Sequence, residues 1–283
     1  MKAVLVASAL ASVALAQSTS PLIPTGISAS CTTFLGQLNS DTSMSSCLTS
    51  ITSATSAFGP TANSTATSSD VSSALSQLCA STACSDSTLR AQLASFYSAC
   101  TSELVGSPNA EVLTQYDALY ALSPMKNALC TKSNGTYCVS TIASSTSSTS
   151  RKRAQQAVLK PSASTFASSN IPFLRLSASL PSSALCSPCS RSIQQAWISG
   201  MNAAAYAPGI ANSVLLSGWS ALYNGTLATC GSSFLDTTGT NNAGTNGALG
   251  SGVLGGSTSA GSEQAPANVL GMLGALALAA LAF

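Results

Sequence analysis

Ten cysteines carry most of the chemistry this chain can do: Cys31, Cys47, Cys79, Cys84, Cys100, Cys130, Cys138, Cys186, Cys189 and Cys230. A cysteine can attack as a thiolate, ligate a metal or pair with a second sulfur, and its compartment largely decides which. An even count in an exported chain predicts five disulfides, with the partners left open by spacing alone. Parity adds a constraint. Seven cysteines precede a low-complexity stretch at 141–182 and three follow it. If all ten pair within the chain, at least one bridge crosses that stretch. Cys186-Ser187-Pro188-Cys189 has the spacing of a redox pair or of half a zinc site. The first needs a preceding strand and the second needs another cysteine pair, and neither pattern is present. The expected reading is two cysteines one turn apart, each tied to a different helix. Cys31 to Cys47 and Cys84 to Cys100 each enclose fifteen residues, an echo that fits a duplicated hairpin or coincidence.

The other reactive side chains are few. The 283 residues include no His and only 18 charged side chains, with a net charge of +2. The commonest general base and metal ligand is therefore missing. The charge is too small to hold a polyphosphate, so nucleic acid is not an expected partner. No serine sits in a G-x-S-x-G elbow, and Lys126, Lys132 and Lys160 lie in no Ser–Lys signature. Asp41, Asp70 and Asp86 fall where helix caps belong. Glu103, Glu111 and Asp117 read as helix-surface residues, and Asp236 completes the acids of the folded part. No enzyme, cofactor or metal is expected. Phe96, Tyr97, Tyr116, Tyr120, Trp197, Trp219 and Tyr223 could line a pocket for a lipid or sterol, or simply fill a core.

Both ends read as addresses. Met1-Lys2, an apolar run from Ala3 and the cleavage signal Ala14-Leu15-Ala16 predict a signal peptide over 1–16. The apolar tail Val269–Phe283, a polar spacer and small residues before it predict a GPI-attachment signal over 258–283. The lipid would join Ser257, with Ser259 or Gly256 as alternatives. Asn63, Asn134 and Asn224 open N-glycosylation sequons. Lys152-Arg153 offers a dibasic cleavage site. The expected location is extracellular, on the outer leaflet of the plasma membrane or in a wall beyond it. The membrane, through a GPI lipid, is the expected partner, with wall polysaccharide or an apolar small molecule as further candidates.

The elements that would position these residues are helical. Met44, Cys47, Leu48, Ile51 and Phe58 recur at helical spacing, as do Val71, Leu75, Leu78 and Cys79, and then Leu89, Leu93, Phe96, Cys100 and Leu104. Asn109 opens a segment with Val112, Tyr116, Leu119 and Tyr120, which Pro124 should end or kink. Residues 141–182 read as a flexible Ser/Thr/Pro-rich loop with one apolar patch, Ile171 to Leu176. Helical spacing returns from Cys186 through Trp197, Val214 and Trp219 to Cys230. With 83 Ser and Thr in the chain, helix propensity is low, so packing and cross-links must stabilise these segments. The predicted fold is an all-α, disulfide-stapled helical bundle with a low-complexity insert and a flexible C-terminal stalk. Its divisions are a linker at 17–30, helical parts at 31–140 and 183–235 of one domain, and a Gly/Thr-rich stalk at 236–257.

The motifs Cys31-x15-Cys47-Leu48, Cys79-x4-Cys84-Ser85-Asp86 and Phe96-Tyr97-Ser98-Ala99-Cys100 resemble an uncharacterised fungal family. So do Leu185-Cys186-Ser187-Pro188-Cys189 and the run Tyr206–Ser213 leading to Cys230-Gly231. Its members are Cys-rich, Ser/Thr-rich secreted proteins, often GPI-anchored, that share a domain of unknown function. The resemblance implies a fungal surface location and carries no catalytic residues. The leading expectation is a non-catalytic structural or adhesive surface protein. The alternative is an extracellular binding module for a lipid, sterol or other apolar ligand.

Overall fold

The computed structural model describes residues 23–54, 68–145 and 169–236. They form nine α-helices: α1 Ala29–Ser40, α2 Ser45–Ala54, α3 Ser68–Ala80, α4 Asp86–Ala99, α5 Ala110–Leu129, α6 Cys138–Ser145, α7 Ser182–Leu185, α8 Pro188–Ala203 and α9 Trp219–Cys230. A π-turn at Ser102–Gly106 joins α4 to α5, and a two-stranded hairpin, Lys132–Ser133 with Thr136–Tyr137, joins α5 to α6. Asn134 and Gly135 both take positive φ at the tip of that hairpin, the conformation that Asn-Gly favours in such turns. The protein is all-α and cross-linked by five disulfides, as the spacing predicts.

The architecture is built around α5. Val112, Leu113, Tyr116, Leu119, Tyr120, Leu122, Met125 and Leu129 are all buried, so this helix is apolar all round and other helices must surround it. It packs on α3, α4 and most extensively α8. Asn109 caps it, its Oδ1 accepting from the amides of Glu111 (3.0 Å) and Val112 (3.1 Å). Pro124 does not end it: α5 runs on to Leu129. The proline ring is instead a contact point. A Cβ on Gly200 of α8 would lie 2.7 Å from Pro124 Cγ and 2.8 Å from its Cβ. Glycine is what lets α5 and α8 close here.

Three further expectations change. The loop at 141–182 is narrower than its composition indicates. Residues 141–145 belong to α6, and Ile171, Phe173, Leu174 and Leu176 are core residues. Asn170, Leu174 and Arg175 take positive φ there, and Asn170 Nδ2 donates to the Leu176 carbonyl at 2.9 Å to hold the turn. The segment then crosses α9 so closely that a Cβ on Gly225 would collide with the Cβ of Ala178. Secondly, Val214 and Leu215 are not helical: the connection from α8 contains only a 3-10 turn, Ile210–Asn212, and α9 starts at Trp219. Thirdly, none of the three aspartates occupies an N-cap position. Asp86 is the first residue of α4 and Asp70 lies in the first turn of α3, where a negative charge complements the helix dipole. Asp41 follows α1, accepts from the Ser43 amide at 2.7 Å and takes a hydrogen bond from Gln92 of α4.

Candidate functional site

All ten cysteines are paired: Cys31–Cys100, Cys47–Cys84, Cys79–Cys130, Cys138–Cys189 and Cys186–Cys230. The fifteen-residue echo has a mechanical reason. The Cys31–Cys47 and Cys84–Cys100 segments run antiparallel and are bolted at both ends, so their lengths must match. Cys138–Cys189 is the bridge that parity requires across the insert. Cys186 and Cys189 tie to different helices, α9 and α6, as expected from their spacing.

Two of the acids expected on helix surfaces are buried. Asp117 is 0% exposed. It accepts from the amides of Val214 and Leu215, both at 2.8 Å, and from the Tyr206 hydroxyl. Burial pushes its carboxyl up, opposed by these donors and by Ser213. Tyr206, Tyr116 and Tyr120 are likewise pushed up, burial being the main cause for each. Asp117 therefore anchors the irregular connection between α8 and α9 to the central helix. Helical spacing hid this, because the partners of Asp117, two backbone amides and the Tyr206 hydroxyl, lie about ninety to a hundred residues away. Glu103 Oε1 accepts from the Ser28 amide at 2.7 Å, fixing the start of α1. Burial pushes that carboxyl up, but the Ser28 amide and hydroxyl together with its own backbone amide hold it below its ordinary value. Glu103 lies beside Cys31 and Cys100, with ligand atoms within 4.8 Å of one another. Both sulfurs are committed to a disulfide, so the group offers a metal no thiolate. Glu111 is exposed, as expected.

Lys126 is also buried. Its Nζ donates to the Ser81 carbonyl at 2.7 Å and to Ser81 Oγ at 3.0 Å, and burial pushes the amine down. A Ser–Lys pair thus exists, but its hydrogen bonds run the wrong way for a nucleophile. Ser81 Oγ accepts from the ammonium and donates its own proton to the Leu78 carbonyl at 2.6 Å. The lysine finishes the C-terminus of α3, where a cation and a donor are both favourable.

The aromatic residues fill space rather than enclose it. Phe173 stacks edge-on to Trp197 at 4.9 Å and tilts against Trp219 at 5.3 Å, so it occupies the volume between the two indoles. Trp197 Nε1 donates to the Pro172 carbonyl at 3.1 Å. Phe34, Phe96, Tyr116, Tyr206 and Tyr120 form a continuous ladder of ring contacts at 5.1–5.3 Å. A groove of about 80 Å3 lies over Tyr120, Pro124 and Gly200, well below the few hundred Å3 of a typical ligand pocket. A larger open depression, about 740 Å3, is lined by Ser45, Ser46, Thr49, Ser50, Ser53, Ala54, Gln77 and Ser81. Among the described residues, hydroxyls dominate its wall and no aromatic side chain lines it.

No family model, curated protein or solved structure matches the chain. Five disulfides mark a protein that matures in an oxidising compartment, and the protein is extracellular or secreted. Among the described residues no helix is long and apolar enough to cross a membrane. Asn134 is exposed at the hairpin tip and Asn224 is exposed on α9, but Thr226 of the second sequon is fully buried. Phe58, Asn63, Lys152, Arg153, the predicted signal peptide, the predicted stalk beyond Asp236 with Gly256 and Ser257, and the predicted attachment segment with Ser259 lie outside the described residues.

Proposed function

We propose that this protein is a non-catalytic, GPI-anchored cell-surface or cell-wall component with a structural or adhesive role. One observation carries the reading: the interior is side-chain-filled where a ligand carrier would need space, with Phe173 between Trp197 and Trp219. The buried groups with chemical potential, Asp117, Glu103 and Lys126, each hold backbone in place. The terminal signals and the resemblance to secreted, often GPI-anchored fungal proteins support the anchor and the surface location. Carriage of a lipid or sterol is the second reading, favoured by the concentration of aromatic residues.

The test is native mass spectrometry of the protein released from intact cells by a phosphatidylinositol-specific phospholipase. A C-terminal phosphoinositol-glycan remnant near Ser257 and no co-purified lipid support the surface component. Release without that remnant removes the anchor, and a stoichiometric sterol or acyl lipid replaces the structural role with carriage.

A further inference from the structure

The two disulfides that share the Cys186-Ser187-Pro188-Cys189 segment differ in access. Cys186 and its partner Cys230 are half-buried, whereas Cys138 is 0% and Cys189 3% exposed. An external thiolate therefore reaches the Cys186–Cys230 bridge first, since exchange needs access to a sulfur. Opening that bridge leaves Cys186 immediately before the N-terminus of α8. Ser187 caps the helix, its Oγ accepting from the Ser190 amide at 3.2 Å, and Pro188 opens it. The positive end of a helix favours a thiolate there. A two-residue gap at a helix start also allows the two cysteines of a Cys-x-x-Cys segment to bond to each other.

We propose that these four cysteines form an internal thiol–disulfide relay, in which reduction of the accessible bridge releases the buried one. A dithiol reductant first converts Cys186–Cys230 to two thiols and is itself oxidised to a disulfide. The Cys186 thiolate then attacks Sγ of Cys189. The Cys186–Cys189 bond forms, the Cys189–Cys138 bond breaks, and its electron pair leaves on the Cys138 sulfur, which takes up a proton. This second step is redox-neutral and needs no further reductant. Its product lacks the one disulfide that joins residues 23–145 to residues 169–236. The relay is independent of the surface role proposed above.

The test uses the full secreted chain and two variants, Cys230→Ser and the double variant Cys186→Ser/Cys230→Ser. Both lack the accessible bridge, so any effect of that loss on folding is common to them. Only the single variant keeps the attacking thiol. Free thiols are alkylated at mildly alkaline pH, and the disulfide-linked peptides are mapped without reduction. The relay predicts loss of the Cys138–Cys189 peptide in Cys230→Ser, appearance of a Cys186–Cys189 peptide and alkylation of Cys138. In the double variant Cys138–Cys189 persists. Retention of Cys138–Cys189 in the single variant, or equal loss in both, overturns the relay.

Discussion

Replacing Gly200 with alanine sets two opposed effects against each other at one atom. Alanine is favoured over glycine in a helix interior by about 1 kcal/mol, so an unconstrained site would gain stability. Here the added Cβ would lie 2.7 and 2.8 Å from two ring carbons of Pro124. A pyrrolidine ring cannot rotate away, so α5 and α8 must separate along their largest contact. Overpacking of this kind costs about 1–3 kcal/mol, and the rigid partner puts the cost at the upper end. The expected net loss is about 1–2 kcal/mol, a fall of roughly 2–8 °C in Tm at this size. The assay is guanidinium unfolding with the disulfides intact, read as a shift in midpoint at constant slope. A double-mutant cycle with Pro124→Gly isolates the contact, because it removes both the Cγ and the Cβ that the new methyl would meet. In that background Gly200→Ala should cost nothing or stabilise, giving a coupling of about 1–3 kcal/mol. A Gly200→Ala protein at least as stable as the parent, with the same increment in the Pro124→Gly background, would refute the close-approach argument.

Phe173→Ala should cost about 3–5 kcal/mol, and the emission of Trp197 and Trp219 should shift as the space between them opens. Asp117 and Glu103 have opposite pH signatures. Because the folded Asp117 carboxyl is raised, its contribution is greatest below the unfolded carboxylate value of about 3.9 and falls as pH rises through the higher folded value. The folded Glu103 carboxyl is lowered, so its contribution is present above about 4.3 and is lost as pH falls through the lower folded value. Unfolding titrations of Asp117→Asn and Glu103→Gln should each remove the slope of its own sign, and removal of the opposite slope would contradict the assignment. A chain cleaved once between residues 145 and 169 should migrate as a single species without reductant and as two with it, because Cys138–Cys189 spans the cut. Two bands under both conditions would exclude that bridge.

Helical spacing made most of the core legible. Met44, Leu48, Ile51, Leu75, Leu93, Phe96, Val112, Tyr116 and Trp197 all lie where their periods place them, buried. Cysteine parity was enough to require a bridge over the insert, because counting needs no geometry. The pairing itself depends on antiparallel packing of α1 against α4, which no local pattern encodes. Composition misjudged Ile171–Leu176, since six apolar-rich residues after a Ser/Thr tract look the same whether they dangle or plug a core. Pro124 misled for a related reason: local rules penalise a helix-interior proline, and only the partner helix shows that its ring meets a glycine. Asp117 and Lys126 were illegible as buried groups because their partners, backbone atoms together with the Tyr206 hydroxyl and Ser81 Oγ, come from distant segments that no local pattern links to them.

The order of the bridges also sets how the molecule carries force. Tension applied to the polypeptide beyond Asp236 enters at Cys230, passes to Cys186, steps three residues to Cys189 and leaves through Cys138. Helix α9, most of α8, the connection between them and the insert all lie in closed rings off this line. They bear no covalent load and cannot be reeled out. Phe173, Trp197 and Trp219 all lie within those rings, so their packing stays off the load path.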